Sequence, residues 1–355
     1  VKAPILVVLI LTITVASQPH GQSQGINKEP APSPPASSAR QSSTQFIEIL
    51  QQLHDQDEID SAIEQGLRWL YTRQNKDGSW GKDRQVRTTA QVIIAFLAAG
   101  FPPESSPYTQ ALQRAAQFLL DIAQENNGWL RILPDESILP HIEALTALAL
   151  IDGHLSPQQN QLIHQTLKNG LTLLEQTQIK GDGSNQGGWP RRPGEQPDLI
   201  TTARVLLLLD ILHAAQIKTT PQTRELATLF LLAAHRGDGS FALVPGKSQS
   251  VPPVWTWLAC HCLHYIYPPA RERLPLPSIP ASRKTWRTLP VDQRFAWSLY
   301  AILHRQPSVL QQHHRLAMHL AKIQKKDGSW QSGDIIQTAN NLAIMAIRNQ
   351  YLPIF

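Results

Sequence analysis

One seven-residue frame occurs twice in this chain, and its recurrence narrows the folds open to it. Gln74-Asn75-Lys76-Asp77-Gly78-Ser79-Trp80 returns as Gln324-Lys325-Lys326-Asp327-Gly328-Ser329-Trp330, 250 positions later. A shared QxxDGSW frame at that separation marks an internal repeat, which has to be settled before any other feature is read. Fainter copies lie between. They are Asn127-Gly128-Trp129, Gly187-Gly188-Trp189-Pro190 and Gly237-Asp238-Gly239-Ser240-Phe241, with a degenerate one at Trp286. The markers Trp80, Trp129, Trp189, Phe241, Trp286 and Trp330 stand 44 to 60 residues apart, room for two helices and a loop in each interval.

Each unit has the same grammar. An amphipathic helix precedes the glycine loop, with Ile59, Ile63, Leu67 and Leu70 on one face in the first unit and Leu316, Leu320 and Ile323 in the last. The helix after the loop is apolar nearly all round, as in Val92 to Leu97, Ala144 to Ile151, Val205 to Leu212 and Asn341 to Ile347. A helix apolar on every side must be buried on every side. Six one-faced helices outside six buried ones predict an all-α chain, an (α/α)6 toroid of six helical hairpins. Gly78 and Gly328 suit the left-handed backbone that ends a helix. Asp77 and Asp327 can accept from their own backbone two residues on. Trp80, Trp129, Trp189 and Trp330 are expected to cover apolar area between hairpins, and Gln74 and Gln324 to satisfy open backbone groups.

These strings resemble the QW motifs of squalene and oxidosqualene cyclases and of protein prenyltransferase β-subunits. The segment from Gly187 to Gly194, with Ile200-Thr201-Thr202-Ala203, is similar to repeats of exported bacterial proteins of that superfamily. The resemblance covers roughly residues 59 to 350 and implies the toroid fold. It implies little about activity, because the catalytic signatures of the family are missing. Class II terpene cyclases protonate their substrate with an Asp of a DxDD motif, and no such motif exists here. The nearest string, Asp55-Gln56-Asp57-Glu58, reads as a charge cluster at a helix N-terminus. Aromatic residues are only 6% of the chain, few for a cavity that stabilises carbocations. Protein prenyltransferases hold zinc with Asp, Cys and His, and lanthionine cyclases with two Cys and a His. The chain's two cysteines are Cys260 and Cys262. Cys260 and His264, one turn apart, could share a metal, but no distant Cys completes a site, so no metal and no cofactor are expected. Pro193-Gly194-Glu195-Gln196 has proline where a thioester cysteine would stand.

Charge and composition bound the partners. A formal charge of +5 without a dense Lys/Arg run argues against nucleic acid. Lys2 followed by an apolar run from Ala3 to Ala16 reads as a signal peptide over residues 1–17, too short for a membrane span. Left uncleaved, it would be an N-terminal anchor and the chain's only membrane contact. Residues 18–44, rich in Pro, Ser and Gln, are expected to be a disordered linker, and 45–355 the toroid. The expected location is the periplasm or outside the cell.

If the inner helices run parallel, their N-termini meet on one rim. The residues opening them are polar, and Arg87, Gln91, His141, Thr201, Arg204, Arg294, Gln337 and Asn340 form the expected ligand rim. Two readings stay open. One is a non-catalytic protein binding an anionic, lipid-like, glycan or polypeptide ligand there. The other is an enzyme on an isoprenoid or polysaccharide substrate, with His141, Glu143 or Asp292 as acid or base. An export signal favours binding, since prenyl diphosphates are cytosolic. N-terminal sequencing of exported material should find a chain beginning near Gln18; full-length protein in the cytosol would end the export reading.

Overall fold

The computed structural model describes residues 36–104, 106–131, 136–266, 289–304, 307–349 and 352. The chain divides into two compact units, Val1–Gln51 and Gln52–Phe355. Described structure begins with the helix α1, Ala36–Tyr71. It starts inside the segment expected as linker, where the prolines end at Pro35 and helix-tolerant Ala, Arg and Gln take over. The Asp55–Glu58 cluster therefore lies within a helix rather than at a helix N-terminus, and Asp55 Oδ2 pairs with His314 Nε2 at 3.1 Å.

Ten further α-helices follow among the described residues. They are α2 (Gln85–Ala98), α3 (Thr109–Glu125), α4 (Leu139–Ile151), α5 (Pro157–Thr177), α6 (Leu199–Ala214) and α7 (Pro221–Ala234). α8 (Pro253–Ile266), α9 (Val291–His304), α10 (Pro307–Lys322) and α11 (Ile335–Ala346) complete the set. No β-strand occurs among the described residues, and none of their helices is long and apolar enough to cross a membrane. Proline opens α5, α7, α8 and α10, where its missing N–H has no partner to lose.

α2, α4, α6, α8, α9 and α11 pack side by side in that order, and α11 returns to α2, so the inner wall is a closed ring of six helices. α3, α5, α7 and α10 lie outside them, α3 against α2, α5 against α4, α7 against α6 and α8, and α10 against α9 and α11. Among the described residues, the alternation of outer and inner helices sets α2, α4, α6 and α8 parallel, and α9 parallel to α11. α4 has eleven buried residues of thirteen, whereas α3 buries only one face, as the two sequence patterns require. The marker Trp286 and the helical partner expected around it lie outside the described residues.

The repeated loop joins three elements at once. Trp80, Trp189 and Trp330 are fully buried, and each indole Nε1–H donates to a carbonyl of the preceding outer helix, at Leu70 (2.7 Å), Leu174 (2.8 Å) and Leu320 (2.9 Å). Their backbone N–H groups donate to hydroxyls one turn into the following inner helix, Thr89, Thr202 and Thr338. The third connection crosses to the next hairpin. Gln74 Nε2 donates to Gly78 O and to Ala111 O of α3, at 2.9 and 2.8 Å. Gln324 repeats this with Gly328 O and Ala62 O of α1, at 2.9 and 2.8 Å, which ties the last hairpin to the first. Gln178, which carries no recognisable QxxDGSW frame, does the same with Gly187 O and Thr223 O. Gly78, Gly187 and Gly328 have φ of 90°, 84° and 92°. A Cβ on any of them would strike a backbone carbonyl of the neighbouring outer helix, that of Arg114, Leu226 or Gln65. Glycine is required twice over, for conformation and for approach.

Asp77 and Asp327 accept the N–H of the serine two residues on, each at 3.0 Å. In the second repeat the frame slips by one. Trp129 is only partly buried, stacked under Arg131 at 4.1 Å, while Leu130 is fully buried and its N–H bonds the inner helix. Trp129 is therefore not the staple its marker suggests. Trp80→Ala and Trp330→Ala are each expected to cost about 3–5 kcal/mol in urea unfolding, from lost burial plus a cavity; unchanged midpoints for both would remove the loops from the list of structural supports.

Candidate central ligand site

Two positions along an α-helix turn a side chain by about 200°, to the opposite face. The inner helices use this rotation. The acceptors of the loop N–H groups, Thr89, His141, Thr202 and Thr338, face the loops. The residues two positions further, Gln91, Glu143, Arg204 and Asn340, all line a central cavity of about 160 Å³, joined there by Arg87. Four equivalent positions thus form a polar belt at the N-terminal end of the ring.

Glu143 organises the belt. Its Oε2 accepts from Arg87 Nε at 2.8 Å and its Oε1 from Arg204 Nη1 at 3.1 Å. The three side chains are 13–23% exposed, so solvent screens this clamp less than a surface pair. The Arg204 guanidinium also stands 5.1 Å over the Trp255 ring, a cation–π contact. Between the adjacent helices α11 and α2, Asn340 Nδ2 donates to Gln91 Oε1 at 3.2 Å. Beyond the belt the wall is apolar, with Ile94, Ile142, Leu207, Leu208, Phe295 and Leu299 among its residues. The arrangement can hold an anionic group between two guanidiniums and an apolar group beneath them. Sequence reasoning missed Trp255 and the apolar wall, because inner helices apolar all round do not announce which side faces the axis.

Several expected rim residues are elsewhere. His141 is fully buried between α4 and α5. Its Nδ1 accepts the Leu130 N–H at 2.9 Å, which puts the ring proton on Nε2, 3.2 Å from Gly170 O. Burial pushes its pKa down to about 4. It occupies the acceptor position that threonine holds in three other repeats, so it is neither in the rim nor placed as an acid or base. Thr201 is buried, its N–H and hydroxyl both on the Asp198 carboxylate that caps α6. Arg294 Nε donates to Leu289 O at 3.0 Å and does not line the cavity. Gln337 does not line it either; its N–H takes the Asp334 cap of α11. The Asp292 side chain lies outside the described residues. Arg87, Gln91, Arg204 and Asn340 are the expected rim residues that come together, with the expected acid–base candidate Glu143 among them.

Cys260 and Cys262 are buried free thiols. Burial pushes the Cys260 thiol up to about 12 and holds that of Cys262 well above its ordinary value, both away from the thiolate a metal requires. Among the described residues no three His, Cys, Asp or Glu side chains gather as a metal site.

A second hollow, of about 520 Å³, opens on the same rim between the first turns of α2 and α4 and the loop after Trp189. Its wall holds Arg84, Arg87, Arg191 and Arg192 with Asp83 and Glu136, and Arg87 also lines the central cavity.

No protein-family model matches the sequence, and no curated protein matches it. Solved structures do. Two variants of the type II terpene cyclase MstE from Scytonema match, one in complex with its substrate, geranylgeranyl dihydroxybenzoate, the other with its product, merosterolic acid A. Each is 13% identical; the match covers 84% of this chain and 99% of the cyclase, with TM-scores of 0.54 and 0.51. The chain has the terpene-cyclase-like toroid fold, and the likeness extends to the fold alone.

His313, also buried, donates its Nε2–H to Ile344 O at 3.0 Å and has its pKa pushed by burial to about 4 like His141. An unfolded histidine titrates near 6.5, so between about pH 6.5 and 4 the unfolded chain binds protons that the folded one refuses. The contribution of each is complete above pH 6.5 and lost as pH falls toward 4, on the order of 3 kcal/mol apiece. Urea unfolding should show this loss in the parent protein and a shallower one in His141→Gln and His313→Gln.

Proposed function

We propose that the protein is an exported, non-catalytic binding toroid that takes a small amphiphile in its centre, apolar end first. The observation that carries this reading is the join of an apolar cavity to the Arg87–Glu143–Arg204 clamp at its mouth. Shape and charge both favour a molecule with one anionic group on a short apolar body. The two guanidiniums exceed the single carboxylate between them by one positive charge, so an anionic group entering beside Glu143 meets net attraction.

Size limits the apolar part. A cavity of about 150 Å³ holds one benzene, so about 160 Å³ admits a group of about six to eight carbons. The geranylgeranyl dihydroxybenzoate bound by the Scytonema cyclase combines an apolar chain with an acid, the same chemical class, but its chain is too long for this cavity. Two features support binding over catalysis. Both oxygens of Glu143 are already occupied by guanidinium N–H groups. His141 is sealed in a wall without access to the cavity.

Octanoate is a suitable probe. Calorimetric titration is expected to show saturable binding of one molecule, about tenfold weaker in Arg204→Ala through loss of one charge-assisted hydrogen bond. Ala343→Phe, which fills the cavity without altering charge, should abolish it. Octanoate bound equally by Ala343→Phe, or not bound at all by the parent protein, would defeat the reading.

A further inference from the structure

The larger rim hollow plays no part in holding a short monoanion, yet it is the more strongly basic of the two spaces. Its wall carries four arginines against two carboxylates, and Arg87 belongs to both spaces. Joined, the walls hold among the described residues five arginines, counting Arg204, and three carboxylates, counting Glu143, an excess of two positive charges. Arg192 has an exposed partner outside the hollow, Glu195, at 3.4 Å. Arg84 and Arg191 are exposed.

The backbone points the same way. α2 opens at Arg84 without a side-chain cap, whereas at the start of α4 the Leu139 N–H donates to Ser137 Oγ at 3.2 Å and Pro140 carries no N–H. By contrast α6 and α11, whose first turns lie away from the hollow, are capped by Asp198 and Asp334. Neither inner helix that borders the arginine-lined space carries a carboxylate cap, so the positive partial charge of both helix ends, and the first-turn N–H groups of α2, are directed there.

We infer that the rim hollow is the second half of the ligand site and takes a dianionic head, phosphate-like in chemistry, of the same amphiphile whose apolar end enters the centre. The inference rests on the central cavity being a binding site. Arg87 is the junction, held by Glu143 on the inner side and lining the hollow on the other. Guanidinium forks suit a phosphate because two parallel N–H groups meet two oxygens. The excess of two charges matches a dianion and is one more than a carboxylate satisfies. With the tail filling the 160 Å³ cavity, the head is left to the 520 Å³ hollow, so the charge and the tail are sorted by space.

The test compares octyl phosphate, octanoate and inorganic phosphate at low salt, with the full chain. Octyl phosphate is expected to bind at least tenfold tighter than octanoate, and inorganic phosphate far more weakly than either. In Arg84→Ala/Arg191→Ala, both exposed positions, octyl phosphate should fall to the affinity of octanoate while octanoate itself is unchanged. Equal affinities for the two amphiphiles in the parent protein would overturn the inference and leave central binding intact, as would an advantage that survives in the double variant. Inorganic phosphate bound as tightly as octyl phosphate would mark a separate free-anion site and overturn the joined site. Loss of all binding to both amphiphiles would remove the central cavity as well.

Discussion

Three glutamine amides hold consecutive hairpins at a fixed distance, and the ring depends on them. Gln74, Gln178 and Gln324 each donate both to their own loop and to a carbonyl of the next outer helix. A helix packed on its neighbour through apolar side chains alone can slide; a side chain bonded to two backbones cannot do so without leaving a buried carbonyl unsatisfied, at about 1–3 kcal/mol. The loop glycines reinforce the register, since only a residue without Cβ lets one backbone rest on the next. The last of these bridges, Gln324 to Ala62, closes the ring through residues far apart in sequence, with His314 and Asp55 meeting at the same seam.

Closure of the ring places the site. Once the loops fix the rotation of each inner helix, the position two beyond the loop acceptor must face the axis. That is why Gln91, Glu143, Arg204 and Asn340 meet although they are spread over some 250 residues of chain. The same rotation explains how a polar belt can sit at the mouth of an otherwise apolar barrel. Second-turn residues near the wet end can keep charge, whereas those a turn deeper, such as Ile94 and Leu207, cannot without losing solvation.

Much of this architecture is legible in the sequence, and for particular reasons. The duplicated string from Gln74 and Gln324 encodes a physical device, so its residues read directly as hairpin loops. Gln178 escapes notice because an insertion before Gly187 separates it from its tryptophan, though the amide still bridges the same two backbones. Trp129 misleads in the opposite way: it looks like a staple, but the buried place belongs to Leu130. His141 misleads because it replaces a threonine in its role of accepting a loop N–H, and a histidine near a rim invites a chemical reading. Once that acceptor position is recognised, the axis-facing residues follow by counting two. The basic hollow stays hidden in the sequence, since Arg84 and Arg191 come from different repeats and only the packing of their loops brings them to one wall.

Whether the centre of the toroid receives a ligand tail beneath the guanidinium clamp is the claim on which the functional account stands. A crystal structure of the protein soaked with octanoate tests it most directly. The account predicts a carboxylate beside the Arg87 and Arg204 guanidiniums and a tail running inward against Ile94, Leu207 and Leu299. Octanoate found on the outer wall, with the central cavity unchanged, would contradict it.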